Sequence, residues 1–296
     1  MERPIVLGID IGGSHITASL VDVETRTLIA GSIQRKMVDS QESAENIFDA
    51  WCQVITSSYS GYETLVKNIG IAIPGPFDYE NGICLIKEQD KFPALYQLNV
   101  KEELAGRLNI STASIHFIND AAGFLQGEVF AGSARDANHV LGFTLGTGLG
   151  SSICTNGEAI DAELWNAPFL NGIAEDYFST RWFVKRYHQL SGVTLDGVRD
   201  LANYVNADQH AKQVFKEFGD NFAQFMMPLI KKHHAEVVII GGNIAQAFNV
   251  FSTNLIDVLE HNQFKTKIKI SKLNEHAALI GAASCCKMSY QNVNQS

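Results

Sequence analysis

A nine-residue phrase occurs twice in this chain and constrains its fold more than any other feature. Val6-Leu7-Gly8-Ile9-Asp10-Ile11-Gly12-Gly13-Ser14 returns 134 positions later as Val140-Leu141-Gly142-Phe143-Thr144-Leu145-Gly146-Thr147-Gly148. Five of the nine pairs are identical or exchange one aliphatic for another, and each apolar run ends at a tight glycine turn. A second apolar run follows each turn, from Ile16 to Val21 and from Gly150 to Cys154. Such a strand–glycine loop–strand unit leaves backbone N–H groups facing a turn that no side chain obstructs, an arrangement that suits an anion. Two copies at this separation predict two related half-domains, each offering a phosphate-gripping hairpin to a shared cleft.

A chain of 296 residues forms one large domain or two of ordinary size. Its 46% apolar and 19% charged composition is that of a soluble globular protein. No apolar run approaches the ~20 residues of a membrane span. The opening MERPIVLGID enters a strand at once, without a signal peptide's charged-then-apolar layout, so the expectation is a cytoplasmic protein with no membrane partner. A net charge of −9 argues against nucleic acid, which is usually met by a basic face. It leaves a phosphorylated ligand open, since glycine loops and a metal hold phosphate without a basic surface. The five cysteines show neither CxxC spacing nor a partnering histidine pattern, and read as buried thiols rather than structural zinc ligands.

Periodicity predicts strands over 5–11, 15–22 and 28–35, a helix over 44–57, and a strand over 68–73 stopped by Pro74-Gly75-Pro76. A short helix over 101–108 and a strand over 114–118 lead to Asn119-Asp120, and helical spacing resumes over 121–131. After the second hairpin come helices over 175–189 and 208–233, and a buried strand over 236–240. Gly241-Gly242-Asn243 and a helix to about 261 follow, then a strand over 267–270, a helix over 275–288 and a polar tail from Ser289. The pattern is α/β with mixed sheets. The expected boundary lies near Asp120: a smaller lobe of residues 1–119 joined by a C-terminal helix over 275–290, and a larger lobe of residues 120–274.

Asp10 beside Gly12, Gly13 and Ser14 can orient a hydrated Mg²⁺ while the turn receives phosphate oxygens. From one copy alone, a capping Asp at a strand-end hairpin is the better explanation, because short glycine motifs are weak. The second copy at Gly146-Thr147-Gly148 favours phosphate. So does Gly241-Gly242, which follows a buried strand and precedes a helix where an α/β sheet exposes a nucleotide site. Asp120 after Asn119 reads as an N-cap or as an ionised base for a substrate hydroxyl, and a helix N-terminus is compatible with both. Glu163, Asn166 and Glu175 form a polar cluster suited to neighbouring sugar hydroxyls, although on spacing alone they also read as a solvated loop. Lys231-Lys232-His233-His234 suit a helix C-terminus and are given no ligand role. Phe215, Phe218, Phe222, Phe225 and Met226-Met227 are helix-spaced core.

Together these segments resemble the ROK sugar kinases of the actin-like/hexokinase ATPase superfamily, essentially from end to end. Gly8 to Ser14 resembles the first phosphate motif and Leu145 to Gly150 the second. Ile71-Ala72-Ile73-Pro74-Gly75-Pro76 is similar to the sugar-side loop, Asn119-Asp120 to the catalytic pair, Ile239-Ile240-Gly241-Gly242 to the nucleotide-side strand and turn, and Ala277 to Ala283 to the closing helix. The resemblance implies a two-lobed actin-like ATPase, with duplicated RNase H-like mixed sheets and flanking helices around a central cleft. It implies Asp120 as base on a sugar hydroxyl, usually the 6-hydroxyl, with Gly75, Asn119, Glu163, Asn166 and Glu175 on the sugar. Mg-ATP would be held by Asp10, Gly12, Gly13, Ser14, Gly146, Thr147, Gly148, Gly242 and Asn243, with Asp10 reaching Mg²⁺ through water. A homodimer is compatible with the resemblance.

Two departures stand out. The family's Glu-x-Gly-His appears as Glu163-Leu164-Trp165-Asn166, so the histidine that binds sugar and zinc is an amide. Only eight residues separate Asn166 from Glu175, too few for the cysteine-rich zinc knuckle. Both predict a protein without structural zinc. The short loop resembles the polyphosphate glucokinase branch, yet that branch's Thr/Pro-rich segment is replaced by Asp39-Ser-Gln-Glu-Ser-Ala-Glu45, which favours ATP as donor. The alternatives are a polyphosphate-dependent glucokinase and a non-catalytic sugar-binding protein. A repressor is disfavoured by the acidic charge and by the short stretch before the first motif.

Overall fold

The computed structural model describes residues 4–87 and 91–293. The chain opens with β1 (Ile5–Ile11), β2 (His15–Asp22), β3 (Thr27–Leu28), β4 (Gln34–Met37), α1 (Ala44–Ser58) and β5 (Ile69–Ile73). It continues through β6 (Phe77–Asp78), β7 (Ile83–Cys84), α2 (Val100–Leu108), β8 (Ile115–Asn119) and α3 (Asp120–Phe130). Next come β9 (His139–Leu145), β10 (Leu149–Thr155), β11 (Glu158–Asp161), β12 (Pro168–Phe169), β13 (Gly172–Ile173), α4 (Ala174–Tyr177) and α5 (Thr180–Ser191). The last elements are α6 (Val198–Tyr204), α7 (Gln209–His233), β14 (Val237–Gly241), α8 (Phe248–His261), β15 (Lys267–Ile270) and α9 (Ala277–Val293).

The repeated phrase becomes the same local topology twice. One sheet has the order β3-β2-β1-β5-β8, with β4 also paired to β2, and the other has the order β11-β10-β9-β14-β15. Each begins as an antiparallel hairpin and continues through parallel partners, β1 with β5 and β9 with β14. Contacts divide the chain after Gly132; Ser133–Asn274 form the second unit, and Glu275 onward returns to the first. The division lies beyond the expected boundary at Asp120 because α3 packs along α9 inside the first unit.

In the first unit α1 starts where the Ser43 side chain accepts a hydrogen bond from the Asn46 N–H. It then buries Ile47, Phe48, Trp51, Val54 and Ile55 against the β2 side of the sheet. Helix α9 lies against β1, β5 and α3 at backbone distance. A Cβ added to Gly8 would meet the Leu279 carbonyl, one on Gly70 the Ala282 carbonyl, and one on Gly281 the Gly123 carbonyl. In the second unit the expected phenylalanines form the core: Phe215, Phe218, Phe222 and Phe225 of α7 pack with Phe143, Phe178, Phe183 and Phe251.

Several expectations are corrected. The strand over 28–35 breaks into β3 and β4 because the Ser32 hydroxyl accepts the Leu20 N–H (3.0 Å) and donates to the Ile29 carbonyl (2.8 Å), displacing ladder bonds. The helix over 175–189 breaks at Ser179, whose backbone is extended, and restarts at Thr180. Asn243–Ala247 is a 3-10 turn before α8. The last helix continues through Val293, past the expected tail boundary at Ser289; residues 294–296 of that tail, and residues 1–3, lie outside the described residues. Among the described residues no helix is long and apolar enough to cross a membrane.

The packing of α9 leaves no room at Gly281. Gly281→Val is expected to cost about 3 kcal/mol or more by overpacking, read from the urea midpoint. Gly106→Ala, in α2 with open space around it, is expected to stabilise by about 0.5–1 kcal/mol.

Candidate active site

Three adjacent parallel strands of the first unit end together. Asp10 of β1 lies opposite Ala72 of β5, and Ile73 lies opposite Asn119 of β8. Asp10, the Pro74-Gly75-Pro76 turn and Asn119-Asp120 therefore emerge at neighbouring carboxyl ends, where open α/β sheets bind ligands. Asn119 caps α3: its Oδ1 accepts the N–H groups of Ala121 (2.8 Å) and Ala122 (3.1 Å). Its Nδ2 donates to the Tyr79 hydroxyl (3.1 Å), which donates to the Ile73 carbonyl (3.3 Å). An added Cβ on Gly75 would lie 3.0 Å from that same hydroxyl. Gly75, Tyr79 and Asn119 are thus one packed group.

Asp120 is the first residue of α3, and its Oδ1 accepts the Ala121 N–H at 2.9 Å. Burial holds its carboxyl above the usual carboxylate range, against the lowering effects of that N–H and of the Lys91 charge. Asp10 is pushed up to about 7, first by burial and then by the negative charge of Asp120, while Arg35 draws it down. Arg35 is itself paired with Glu275 at 3.1 Å. The hairpin following Asp10 closes through the Gly12 N–H to the His15 carbonyl (2.9 Å), and the second hairpin through the Gly146 N–H to the Gly148 carbonyl (3.0 Å). Among the described residues, the N–H groups of Gly13, Ser14, Thr147 and Gly148 have no hydrogen-bond partner. Each turn therefore keeps donors for an anion.

In the second unit Gly241 pairs with Thr144, which sets the next turn beside the second hairpin. Gly242 has φ 84°, and a Cβ there would strike the Leu145 carbonyl, so this position requires glycine. Gly242 and Asn243 are exposed. Thr180 fixes the hairpin from the other side: its N–H (2.8 Å) and Oγ1 (2.9 Å) both donate to the Gly146 carbonyl. Glu175 braces it as well, accepting the Leu149 N–H on Oε2 (3.1 Å) and pairing through Oε1 with Arg181 (2.9 Å).

Glu163 adopts a left-handed backbone, φ 51°, at the start of a 3-10 turn over Leu164–Asn166. Its N–H donates to Asp161 Oδ1 and that of Leu164 to Ser151 Oγ, both at 2.9 Å. The Ala174 N–H donates to the Ala167 carbonyl (2.8 Å), tying α4 to the same loop. Glu163 and Asn166 are exposed, whereas Glu175 is half-buried and engaged with the hairpin. Between them the small β12–β13 hairpin, which holds neither cysteine nor histidine, fills the shortened segment. Sequence reasoning missed Tyr79, Lys91, Thr180 and Arg181; all but Arg181, whose partner Glu175 is six positions away, act through contacts distant in sequence, and no motif spacing marks them.

The donor set around Asp10 is hard oxygen, and a buried carboxyl whose proton affinity is raised further by the Asp120 charge is relieved by a cation. These residues fit Mg²⁺.

The duplicated hairpin-led sheets with their flanking helices define an actin-like ATPase fold. Within that class the chain belongs to the ROK family, whose sequence model matches residues 6–163 and 171–288. A glucokinase from Thermotoga maritima is 28% identical to it, aligned over 97% of this chain and 98% of that protein. An N-acetyl-D-glucosamine kinase from Citrobacter koseri is 23% identical over 85% of this chain and 88% of its own. The crystal structure of a ROK hexokinase from Thermus thermophilus superposes with a TM-score of 0.78 at 18% identity, covering 97% of this chain and 99% of that one. The family match skips residues 164–170, the segment carrying Trp165 and Asn166.

The raised pKa of Asp10 has a stability consequence of definite sign. The folded protein holds this proton up to about pH 7, the unfolded chain only to 3.8, so the cost of ionising the recessed carboxyl grows between those values and is complete above the higher. Asp10→Asn is expected to raise stability by about 1–2 kcal/mol at pH 8 and by almost nothing at pH 4. Thermal unfolding of both proteins at the two pH values checks this.

Proposed function

We propose that this ROK-family chain is a sugar phosphotransferase that moves the γ-phosphoryl group of ATP to a hydroxyl of a hexose or N-acetylhexosamine, most simply the 6-hydroxyl. The observation that carries the reading is the pair Asp120 and Asp10, recessed at the carboxyl ends of β8 and β1 on either side of β5, with a glycine turn after Asp10 that keeps free N–H groups. An acceptor hydroxyl needs a base within hydrogen-bond reach. Asp120 has one oxygen tied to the Ala121 N–H, which orients the carboxylate, and its raised proton affinity favours accepting the hydroxyl proton. Asn119, fixed by its cap and by Tyr79, sets the sugar beside that base together with Gly75. Glu163 and Asn166 offer exposed carboxylate and amide groups to further hydroxyls, and Glu175 joins the sugar contacts to the second hairpin.

On this reading each glycine turn, Gly12-Gly13-Ser14 and Gly146-Thr147-Gly148, would offer its free N–H groups to donor phosphate, with Gly242 and Asn243 assigned to the nucleoside. Asp10 would hold Mg²⁺, most simply through water, and the ion would neutralise phosphate charge. The proton passes to Asp120 as the hydroxyl oxygen bonds phosphorus and the bond to ADP breaks. Positioning and charge neutralisation, more than covalent help from the protein, lower such a barrier.

ADP release with Mg-ATP across glucose, mannose, fructose, N-acetylglucosamine and N-acetylmannosamine tests the reading. Turnover on at least one sugar is expected, and Asp120→Ala should cut kcat by about 10²–10⁴-fold with sugar affinity largely kept. No turnover on any of these sugars, with polyphosphate turning over instead, would replace the donor; unchanged turnover in the variant would remove Asp120 from the reaction. Elemental analysis of the purified protein is expected to find zinc far below one atom per chain, in keeping with the Cys- and His-free segment between Asn166 and Glu175.

A further inference from the structure

We infer that Lys91 is a catalytic group in this transfer: its ammonium neutralises charge on the phosphoryl group as it passes from the first glycine hairpin to the hydroxyl held by Asp120. The assignment rests on the kinase reading above and goes beyond it, since nothing in the repeated motifs points to this residue.

Three observations place the charge. The backbone after Lys91 is pinned, because Phe92 is buried in the first unit's core with its ring edge-on to Trp51 at a centroid distance of 5.5 Å, and Leu95 is buried nearby. The lysine stem then lies across the hairpin: its Cγ and Cε sit 3.4 Å, and its Cδ 3.5 Å, from where a Cβ on Gly13 would stand. The charge at the end of that stem lowers the proton affinity of the Asp120 carboxyl. Lys91 thus lies across a phosphate-facing turn, and its charge acts on the base.

Its charge is also uncommitted. Among the described residues Lys91 has no ion pair and no hydrogen bond, whereas Arg35, the other cation acting on these carboxylates, is paired with Glu275. A lysine is a compact charge on a flexible stem, suited to follow a group that moves. The need for it is plain from the charges present. Asp10 and Asp120 already repel one another, and a triphosphate brought beside them adds further negative charge. In the transfer the acceptor oxygen bonds phosphorus, the bond to ADP breaks, and the hydroxyl proton goes to Asp120. The charge spread over the phosphoryl oxygens during that exchange is what a fixed cation stabilises. Lys91 gains and loses no proton in the step.

The test uses Lys91→Met, which keeps the stem and removes the charge, and Lys91→Arg, which keeps the charge. On the sugar that the wild-type protein phosphorylates, Lys91→Met is expected to lower kcat about 10²-fold with the sugar KM within about threefold, and Lys91→Arg to recover at least about tenfold of that loss. Calorimetry supplies a readout apart from turnover. Lys91→Met should bind Mg-ADP like the wild type, but lose at least about tenfold in affinity for Mg-ADP with aluminium fluoride and sugar, a mimic of the phosphoryl in transit. An active wild type with kcat and aluminium fluoride affinity unchanged in Lys91→Met overturns the role of Lys91 alone. A wild type that binds sugar and Mg-AMPPNP yet releases no ADP overturns the kinase reading, and this role with it.

Discussion

The close approach of α9 to the first sheet is the constraint on which the candidate site depends. Helices normally stand off a sheet by the length of their side chains; here Gly8, Gly70 and Gly281 remove the intervening atoms, so that backbone meets backbone. The contacts fall where they matter. Gly8 lies two residues before Asp10 on β1, and Gly70 shortly before the Ile73–Pro76 turn on β5. The Gly123 carbonyl faces Gly281 in the first turn of α3, the helix that Asp120 begins. One helix thus fixes the heights of all three elements that carry Asp10, the Pro74–Pro76 turn and Asn119-Asp120. A base that must sit within hydrogen-bond reach of a hydroxyl tolerates little slack, and close-packed backbones supply little.

That rigidity holds an arrangement the folded protein would not otherwise favour. Burial raises the proton affinity of both recessed carboxyls, the charge of Asp120 raises that of Asp10 further, and Arg35 and Lys91 offset the cost only in part. The duplicated hairpin shows the contrast. Where the first copy has Asp10, the second has Thr144, and its turn is braced by neutral or paired groups: Thr180 on the Gly146 carbonyl, Glu175 on the Leu149 N–H and on Arg181. A shared ancestry for the two sheets therefore need not mean shared chemistry. The first carries the charge, and the second carries a turn whose geometry is held from both sides.

Much of this was legible in the sequence because the repeated phrase reports topology directly. Strands 5–11, 15–22 and 267–270 lie where periodicity puts them, and the helix-spaced phenylalanines of α7 are core. Periodicity failed where one side chain replaces a ladder bond, as Ser32 does, or where a helix restarts on a distant carbonyl, as α5 does on Gly146. Strands of two residues such as β6, β7, β12 and β13 are too short to show alternation. The glycine and Asn-Asp motifs named the candidate residues, but the side chains that support them were invisible. Tyr79 reaches Asn119 across 40 positions and Thr180 reaches Gly146 across 34. No local pattern encodes a contact of that span.

The departures from the family concentrate on one side of the chemistry. The phosphate turns, the Asn119-Asp120 pair and the glycine-lined closing helix fall within the family match, whereas residues 164–170 fall outside it. In that unmatched segment the turn is held firmly, through Ser151 and Asp161, yet it presents Trp165 with 43% of its surface exposed and leaves Asn166 in solvent. A firmly held loop with an exposed aromatic is a poor core element and a good contact surface. Discrimination among sugars turns on a few hydrogen bonds and the fit around them, while phosphoryl transfer turns on charge and alignment. A chain can therefore rebuild the first set without disturbing the second, provided the two sets rest on different supports. Here they do: α3, which Asp120 begins, and the first glycine hairpin rest on α9, and the loop over 164–170 hangs from β10 and β11. The loop over 164–170 is accordingly free to diverge from the family while Asp10, Asn119-Asp120 and the glycine turns stay within the family match.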